Sequence, residues 1–197
     1  MVLNSCALLG FYLLIHADIF SRPRPHIVNT WLRRIGYILI VAALGLLVFA
    51  PHPSWPILPK ETGYQSAQVV GAEAWRIALT VIALVSALLL IWSVFFEISY
   101  HRRRLGIDLR GTVKSGSYGL CRHPGFWWLS FFSLSVAILR GLDLYIFSIS
   151  LMIGLDLLLI VIQDKYVFPR LFTGYDAYRK EIPFLVPRLF RKRPTMR

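Results

Sequence analysis

Acidic residues are scarce in this sequence, and so is charge of either sign. Asp and Glu together number 10 against 22 Lys and Arg, charged residues make up 16% of the 197 positions, and hydrophobic residues make up 56%. A chain with so little charge cannot be solvated along most of its length, which excludes an ordinary soluble domain. The composition therefore predicts an integral membrane protein.

Cysteine is also rare. Cys6 lies near the start of the chain and Cys121 in a polar loop, so the two give neither a disulfide framework nor a metal-binding pair. Nothing in the spacing of His and Cys suggests a metal site, and we expect no metal. The first apolar run lacks the basic start and the small-residue cleavage site of a secretory signal, so we expect it to remain as a membrane helix.

Five apolar runs predict an all-α integral membrane protein, a single membrane domain over residues 1–197 with five transmembrane helices and a cytosolic C-terminal tail. The runs cover residues 3–20, 35–50, 75–100, 125–139 and 144–162. The turn between the last two runs is short, so they should form an antiparallel hairpin. The start of the fourth helix should therefore lie on the same membrane side as the end of the fifth.

The positive charge is distributed unevenly between the loops. Nineteen of the 22 Lys and Arg fall in residues 21–34, residues 101–125 and the tail from residue 163. Lys and Arg gather on cytoplasmic loops, which predicts an N-terminus outside and a C-terminus in the cytoplasm. Topology and attraction to anionic membrane lipid account for the excess charge, so we expect no nucleic-acid partner.

The most informative stretch runs from Lys114 to Trp128 and contains Arg122, His123 and Pro124 where a polar loop becomes an apolar run. Proline is favoured at the first position of a helix because its missing N–H would be unpaired there anyway. We expect Pro124 to begin a helix whose positive end faces Arg122, His123 and an anion that they hold. The alternative is that the triplet only marks the membrane interface.

Three further acidic residues lie in or near the apolar runs. Asp156 precedes Gln163 by seven residues, so both should share the interior face of the fifth helix, where Asp156 either serves a site or packs as a neutral, hydrogen-bonded group. Glu97 and His101 are four residues apart and should either line the mouth of a substrate site or pair at the interface. We assign no role to Asp18.

Three elements of the C-terminal half together resemble a known family. They are Gly-x-Tyr-x-x-x-Arg-His-Pro at 116–124, a polar and acidic pair at 163–164, and Tyr-x-x-Tyr-x-x-x-Ile-Pro-x-x-x-Pro at 175–187. With the five apolar runs, this order resembles the superfamily of isoprenylcysteine carboxyl methyltransferases and phospholipid methyltransferases, over Leu105 to Pro187.

The resemblance implies a small membrane enzyme that binds S-adenosylmethionine at its cytosolic face, in a cofactor region formed by residues 105–124 and 163–190. A lipophilic small molecule or a lipidated acceptor would enter from the bilayer and be methylated on a carboxylate, amine or thiol. The implied cofactor-binding residues are Gly116, Tyr118, Arg122, His123, Pro124, Gln163, Asp164, Tyr175 and Tyr178. Among them, Arg122, His123 and Asp164 are expected to take part in catalysis.

The chemistry of the cofactor agrees with these residue types. Its carboxylate suits an Arg or a helix start, its cationic groups suit a carboxylate, and its sulfonium and purine suit aromatic walls. Methyl transfer is an in-line displacement in which an enzyme mainly positions the reactants and excludes water, so it requires no metal.

Three places depart from the family pattern and keep alternatives open. The family's paired glutamates correspond to Gln163 and Asp164, and the family's tyrosine after Arg-His-Pro corresponds to Phe126. The family's Phe-Gly before the tyrosine pair corresponds to Leu171 and Phe172. One alternative is an NADPH-dependent membrane reductase of the sterol-reductase type, which shares a similar Arg-His-Pro element and late tyrosines. The other is a non-catalytic relative that binds lipid or a partner.

Overall fold

The computed structural model describes residues 2–19, 27–49, 66–108, 110–140 and 142–187. Within these ranges all regular structure is helical, and the one bridge of β type is isolated, between Gly111 and Thr173. The α-helices are α1 (Val2–Ile19), α2 (Ile27–Phe49), α3 (Ser66–Ile91), α4 (Ile98–Leu105), α5 (Pro124–Arg140), α6 (Leu142–Ile162), α7 (Phe168–Leu171) and α8 (Tyr175–Glu181).

Four helical segments are long and apolar enough to cross a membrane. They are Val2–Ile19, Asn29–Phe49, Glu73–Leu105 and Tyr145–Leu171. Within the described residues, the prediction of an all-helical fold with helices able to span a membrane is thereby confirmed. The fourth predicted span, residues 125–139, corresponds to α5, which has 17 residues and a length of about 26 Å, just under the roughly 30 Å hydrocarbon thickness.

Two helices begin earlier than the apolar runs predict. α2 begins at Ile27 rather than at residue 35, and α3 begins at Ser66 rather than at residue 75. An apolar run marks where side chains meet lipid, whereas a helix continues into polar sequence wherever the polar side chains find partners or water. The predicted tail beyond residue 187 and the loop residues 20–26 lie outside the described residues.

The helix bundle is built on one close crossing and one apolar cluster. α1 and α2 cross at Gly10 and Gly36, where a Cβ on either glycine would lie 2.9 Å from the carbonyl oxygen of the other. In a bilayer the hydrophobic effect does not drive helices together, so small residues that allow close packing determine where they meet. The buried cluster joins α1, α2, α3, α5 and α6 through Phe11, Leu14, Leu47, Ala83, Val136, Met152 and Leu159.

Two π-helical turns interrupt the long helices at the same end of the bundle. The first π turn, Trp92–Glu97, joins α3 to α4, and the second, Gln163–Val167, joins α6 to α7. The extra residue in such a turn changes which side chains face inward, and π turns are frequent at functional sites. Here they place Glu97 and Asp164 in the interior, where the two residues are 3% and 4% exposed.

Candidate functional site

A cavity of about 390 Å³ lies between the membrane helices and the loop that precedes α5. Its polar lining includes Tyr118, Arg122, His123, Gln163, Tyr175 and Tyr178, and its apolar lining includes Leu90, Val94, Leu129 and Leu159. Asp156 also lines it, so the prediction that Asp156 and Gln163 share the interior face of α6 is confirmed. One continuous space thus connects polar groups from the loops with side chains from the membrane helices.

Seven of the nine predicted cofactor-binding residues line this cavity, and two do not. Pro124, at the start of α5, completes the seven with the polar residues named above. Gly116 and Asp164 do not line the cavity but contact residues that do or that hold the loop beside it. Gly116 and Asp164 therefore support the cavity wall and do not face a ligand directly.

Asp164 is the centre of a buried polar network. Arg122 Nη1 lies 2.8 Å from its Oδ1, and the Tyr175 hydroxyl donates to the same oxygen at 2.7 Å. Arg179 Nε lies 3.5 Å from Oδ2, and His123 Nε2 lies 3.5 Å from Oδ1. The sequence predicts an anion held by Arg122 and His123, and in this structure that anion is the carboxylate of Asp164.

Arg122 is fixed from three sides by this network and by the C-terminal segment. Its backbone N–H donates to the carbonyl of Pro183 at 2.9 Å, and its guanidinium carbon lies 5.5 Å from the centre of the Phe184 ring. Its side chain is only 9% exposed. Its ion pair with Asp164 is therefore buried, and loss of either partner would leave an uncompensated charge in the interior. Among the described residues, Arg122 Nε has no hydrogen-bond partner.

The three tyrosines tie the tail to the loop and to the first π turn. The Tyr178 hydroxyl donates to the Tyr118 carbonyl at 2.8 Å, and the Tyr118 hydroxyl donates to the Ser93 carbonyl at 3.0 Å. Burial raises the pKa of Tyr118, Tyr178 and Tyr175, and Asp164 raises that of Tyr175 further. All three hydroxyls therefore stay protonated at neutral pH and act as hydrogen-bond donors.

Glu97 holds the loop that carries the triplet. Its carboxylate accepts hydrogen bonds from the backbone N–H and the hydroxyl of Ser117. Gly116 has a φ of +65°, and a Cβ at this position would overlap Glu97 Oε1. The glycine is needed both for its backbone conformation and for this close approach. Neither predicted role describes what Glu97 does in this structure: it does not line the cavity, and its hydrogen-bond partner is Ser117 of the loop.

The sequence did not reveal the role of Asp18. Its Oδ1 lies 2.9 Å from Arg33 Nη2, and Gln163 Nε2 donates to its Oδ2 at 2.7 Å. The sequence did hold a signal for this pair. Asp18 lies at the end of one apolar run and Arg33 lies near the start of the next, and charges at membrane depth are costly unless they are paired. The contact also gives a reason for the amide at position 163, since Asp18 needs a donor where a glutamate would repel it.

The contact between Gln163 and Asp18 predicts the effect of moving the carboxylate from position 18 to position 163. Gln163→Glu places two carboxylates together and removes a charge-assisted hydrogen bond, so we expect it to lower the free energy of unfolding by about 2 kcal/mol. Adding Asp18→Asn to that variant restores a hydrogen-bond donor opposite an acceptor, and it should recover at least half of the lost unfolding free energy. A coupling of this size is usual for residues in contact. Thermal unfolding of the single and double variants in detergent measures this. Simple additivity of the two changes would contradict it.

His123 is buried between two aromatic rings. It stacks on Phe168 with ring centres 5.8 Å apart and meets the edge of Phe184 at 5.0 Å. Burial lowers the pKa of His123, and the nearby carboxylate of Asp164 opposes part of this effect. The imidazole is therefore neutral at neutral pH.

The lowered pKa of His123 predicts a loss of stability in mild acid. Below about pH 6.5 an unfolded histidine takes up a proton that the folded His123 does not, so unfolding becomes favoured as the pH falls. The contribution of this single group cannot exceed about 1.4 kcal/mol per pH unit. We expect His123→Gln to be less sensitive than wild type when unfolding is followed from pH 7 to pH 5. An equal slope in both proteins would show that His123 is not the group responsible.

Comparison of the chain with models of protein families, with curated proteins and with solved structures finds no match. Function is therefore inferred from the cavity and from the side chains around it.

Proposed function

We propose that this chain is an integral membrane methyltransferase that uses S-adenosylmethionine to methylate a carboxylate, amine or thiol of a lipophilic acceptor. The observation that carries the proposal is the cavity itself, which is lined both by polar side chains of the loop and the tail and by apolar side chains of the membrane helices. A polar methyl donor and a lipophilic acceptor need such a space, because the donor enters from water, the acceptor enters from the bilayer, and the two must meet.

The polar residues of the cavity wall fit the cofactor. The volume of the whole cavity, about 390 Å³, lies within the range of small-molecule sites. Arg122 keeps a buried Nε without a hydrogen-bond partner among the described residues, and its guanidinium suits the cofactor's carboxylate. Tyrosine rings attract a cation through their faces, which suits the sulfonium. When bound, S-adenosylmethionine supplies an electrophilic methyl group whose bond to sulfur breaks as the acceptor attacks.

The chain's own residues would position and shield the reactants rather than react. Asp164 orients Arg122 and Tyr175 and is therefore a positioning residue. The protonated hydroxyl of Tyr178 holds the tail against the loop, and that of Tyr118 holds the loop against the first π turn. Fixed geometry and exclusion of water are what an in-line displacement requires.

A reductase that uses NADPH is the second candidate. The observation that favours it is an additional cation on the cavity wall, Arg102, whose Nη2 donates to the Gly111 carbonyl at 3.4 Å. A ligand rich in phosphate would suit Arg102 and Arg122 together. The third candidate is a non-catalytic relative that binds lipid or a partner.

The topology that we propose has five spans, with α5 as the short one, an external N-terminus and a cytoplasmic C-terminus. The asymmetry of 19 against 3 Lys and Arg supports it. A reporter fused after Arg197 should respond as cytoplasmic, and one inserted near Thr62 as external. The reverse pattern would place Arg122 and the other polar residues of the cavity wall on the wrong side for a cytoplasmic cofactor.

Calorimetric titration of the purified protein distinguishes the three candidates. The methyltransferase proposal expects binding of S-adenosylhomocysteine, the demethylated product of the donor, and none of NADPH. Binding of NADPH alone would favour the reductase. Binding of neither ligand to folded protein would favour the non-catalytic candidate.

A further inference from the structure

A second groove lies on the opposite face of the helix that lines the candidate site. Its lining consists of Trp92, Phe96, Tyr100, Arg103 and Arg104, around a cavity of about 480 Å³. The same helical segment turns Ile98 and Arg102 toward the candidate site. The groove therefore faces away from the bundle and is separate from that site.

The aromatic part of the groove is a continuous and exposed stripe. The rings of Trp92 and Phe96 stack with centres 6.2 Å apart, and those of Trp92 and Tyr100 lie 6.0 Å apart. Each of the three residues is more than 40% exposed. Aromatic residues of this kind are typical of the boundary between hydrocarbon and headgroups.

The charged part of the groove follows directly along the helix. Arg104 Nη1 lies 3.4 Å from the Tyr100 hydroxyl, and both Arg103 and Arg104 are exposed. Within the described residues, neither arginine has a carboxylate partner. From Trp92 to Arg104 the helix rises about 18 Å, close to the depth of one leaflet with its headgroups.

We propose that this groove binds one phospholipid of net negative charge, with its phosphate between Arg103 and Arg104 and its acyl chains along Trp92 and Phe96. Two uncompensated guanidinium groups match the anionic headgroup, and the aromatic stripe matches the chains that continue from it. A zwitterionic phospholipid has the acyl chains, but the cation of its headgroup opposes the two guanidinium groups, and a free phosphate has no chains for the aromatic stripe. This site does not depend on the function proposed for the first cavity.

Native mass spectrometry of the full chain tests the proposal. The protein is presented with equal amounts of phosphatidylglycerol and phosphatidylcholine that carry the same acyl chains. We expect wild type to retain phosphatidylglycerol about ten-fold or more over phosphatidylcholine, and Arg103→Gln/Arg104→Gln to lose most of this preference. Free glycerol phosphate at the same concentration should not displace the lipid.

The matched control is Lys165→Gln/Arg170→Gln, which removes two exposed cations outside the groove. It should keep the preference of wild type, and thermal unfolding checks that both double variants are folded. The proposal is overturned if wild type shows no preference, if the groove variant keeps it, or if both variants lose it equally through diffuse attraction. Displacement by glycerol phosphate, or a bound protein in place of lipid, would also overturn it.

Discussion

Asp164→Asn should weaken binding of S-adenosylhomocysteine by about ten-fold or more and also lower the thermal unfolding temperature. The substitution keeps the shape of the side chain and removes its charge, so Arg122 becomes a buried cation without a full partner. Breaking a buried ion pair typically costs about 3–5 kcal/mol. The new amide also brings donor hydrogens to a position that now accepts hydrogen bonds from Arg122 and Tyr175. Titration calorimetry and unfolding in detergent measure the two effects.

Asp176→Asn provides the matched control for this variant. Asp176 lies in the first turn of α8, is exposed, and differs from Asp164 in having no place in the buried network. Its substitution should leave binding and unfolding close to those of wild type. If Asp164→Asn also behaved like wild type in both measurements, Asp164 would not be the residue that holds the site together.

Gly116→Ala should be the most damaging small substitution in the loop. Alanine at a φ of +65° costs about 1–2 kcal/mol, and its Cβ would overlap the Glu97 carboxylate that holds Ser117. We therefore expect a loss of about 3 kcal/mol or more in unfolding free energy, together with loss of ligand binding because the loop must move. Thermal unfolding and calorimetry measure this.

Gly106→Ala separates the two causes. Gly106 has a similar φ of +62°, but a Cβ there would meet no atom within 4 Å. It should show only the backbone cost, about 1–2 kcal/mol, and normal binding. Equal stability of the two alanine variants would show that crowding of a Cβ at position 116 against Glu97 adds no cost beyond that of the backbone.

The sequence allowed much of the site to be predicted because the relevant signals are local or topological. Pro124 begins α5 as expected, and the hairpin of α5 and α6 brings Arg122 to Asp164. Tyr175 and Tyr178, both singled out from the sequence, lie on the cavity wall. These features follow from the order of the helices and from short motifs.

The remaining features depend on long-range packing that local patterns do not encode. Gln163 reaches Asp18 across 145 positions of sequence, and Glu97 reaches Ser117 only because a π turn rotates it inward. Hydropathy also failed to locate the start of α2, since Arg33 lies within the helix and is paired with Asp18. Such contacts depend on which helix faces which, and that is decided by the whole bundle.

Transfer of a labelled methyl group into lipophilic material tests the central claim most directly. Cells that contain the chain, cells that lack it and cells with Asp164→Asn are supplied with methyl-labelled methionine, and their lipid extracts are compared by mass spectrometry. We predict at least one labelled lipophilic species that requires the chain and falls to background with Asp164→Asn. Identical labelled species in all three extracts would contradict the account.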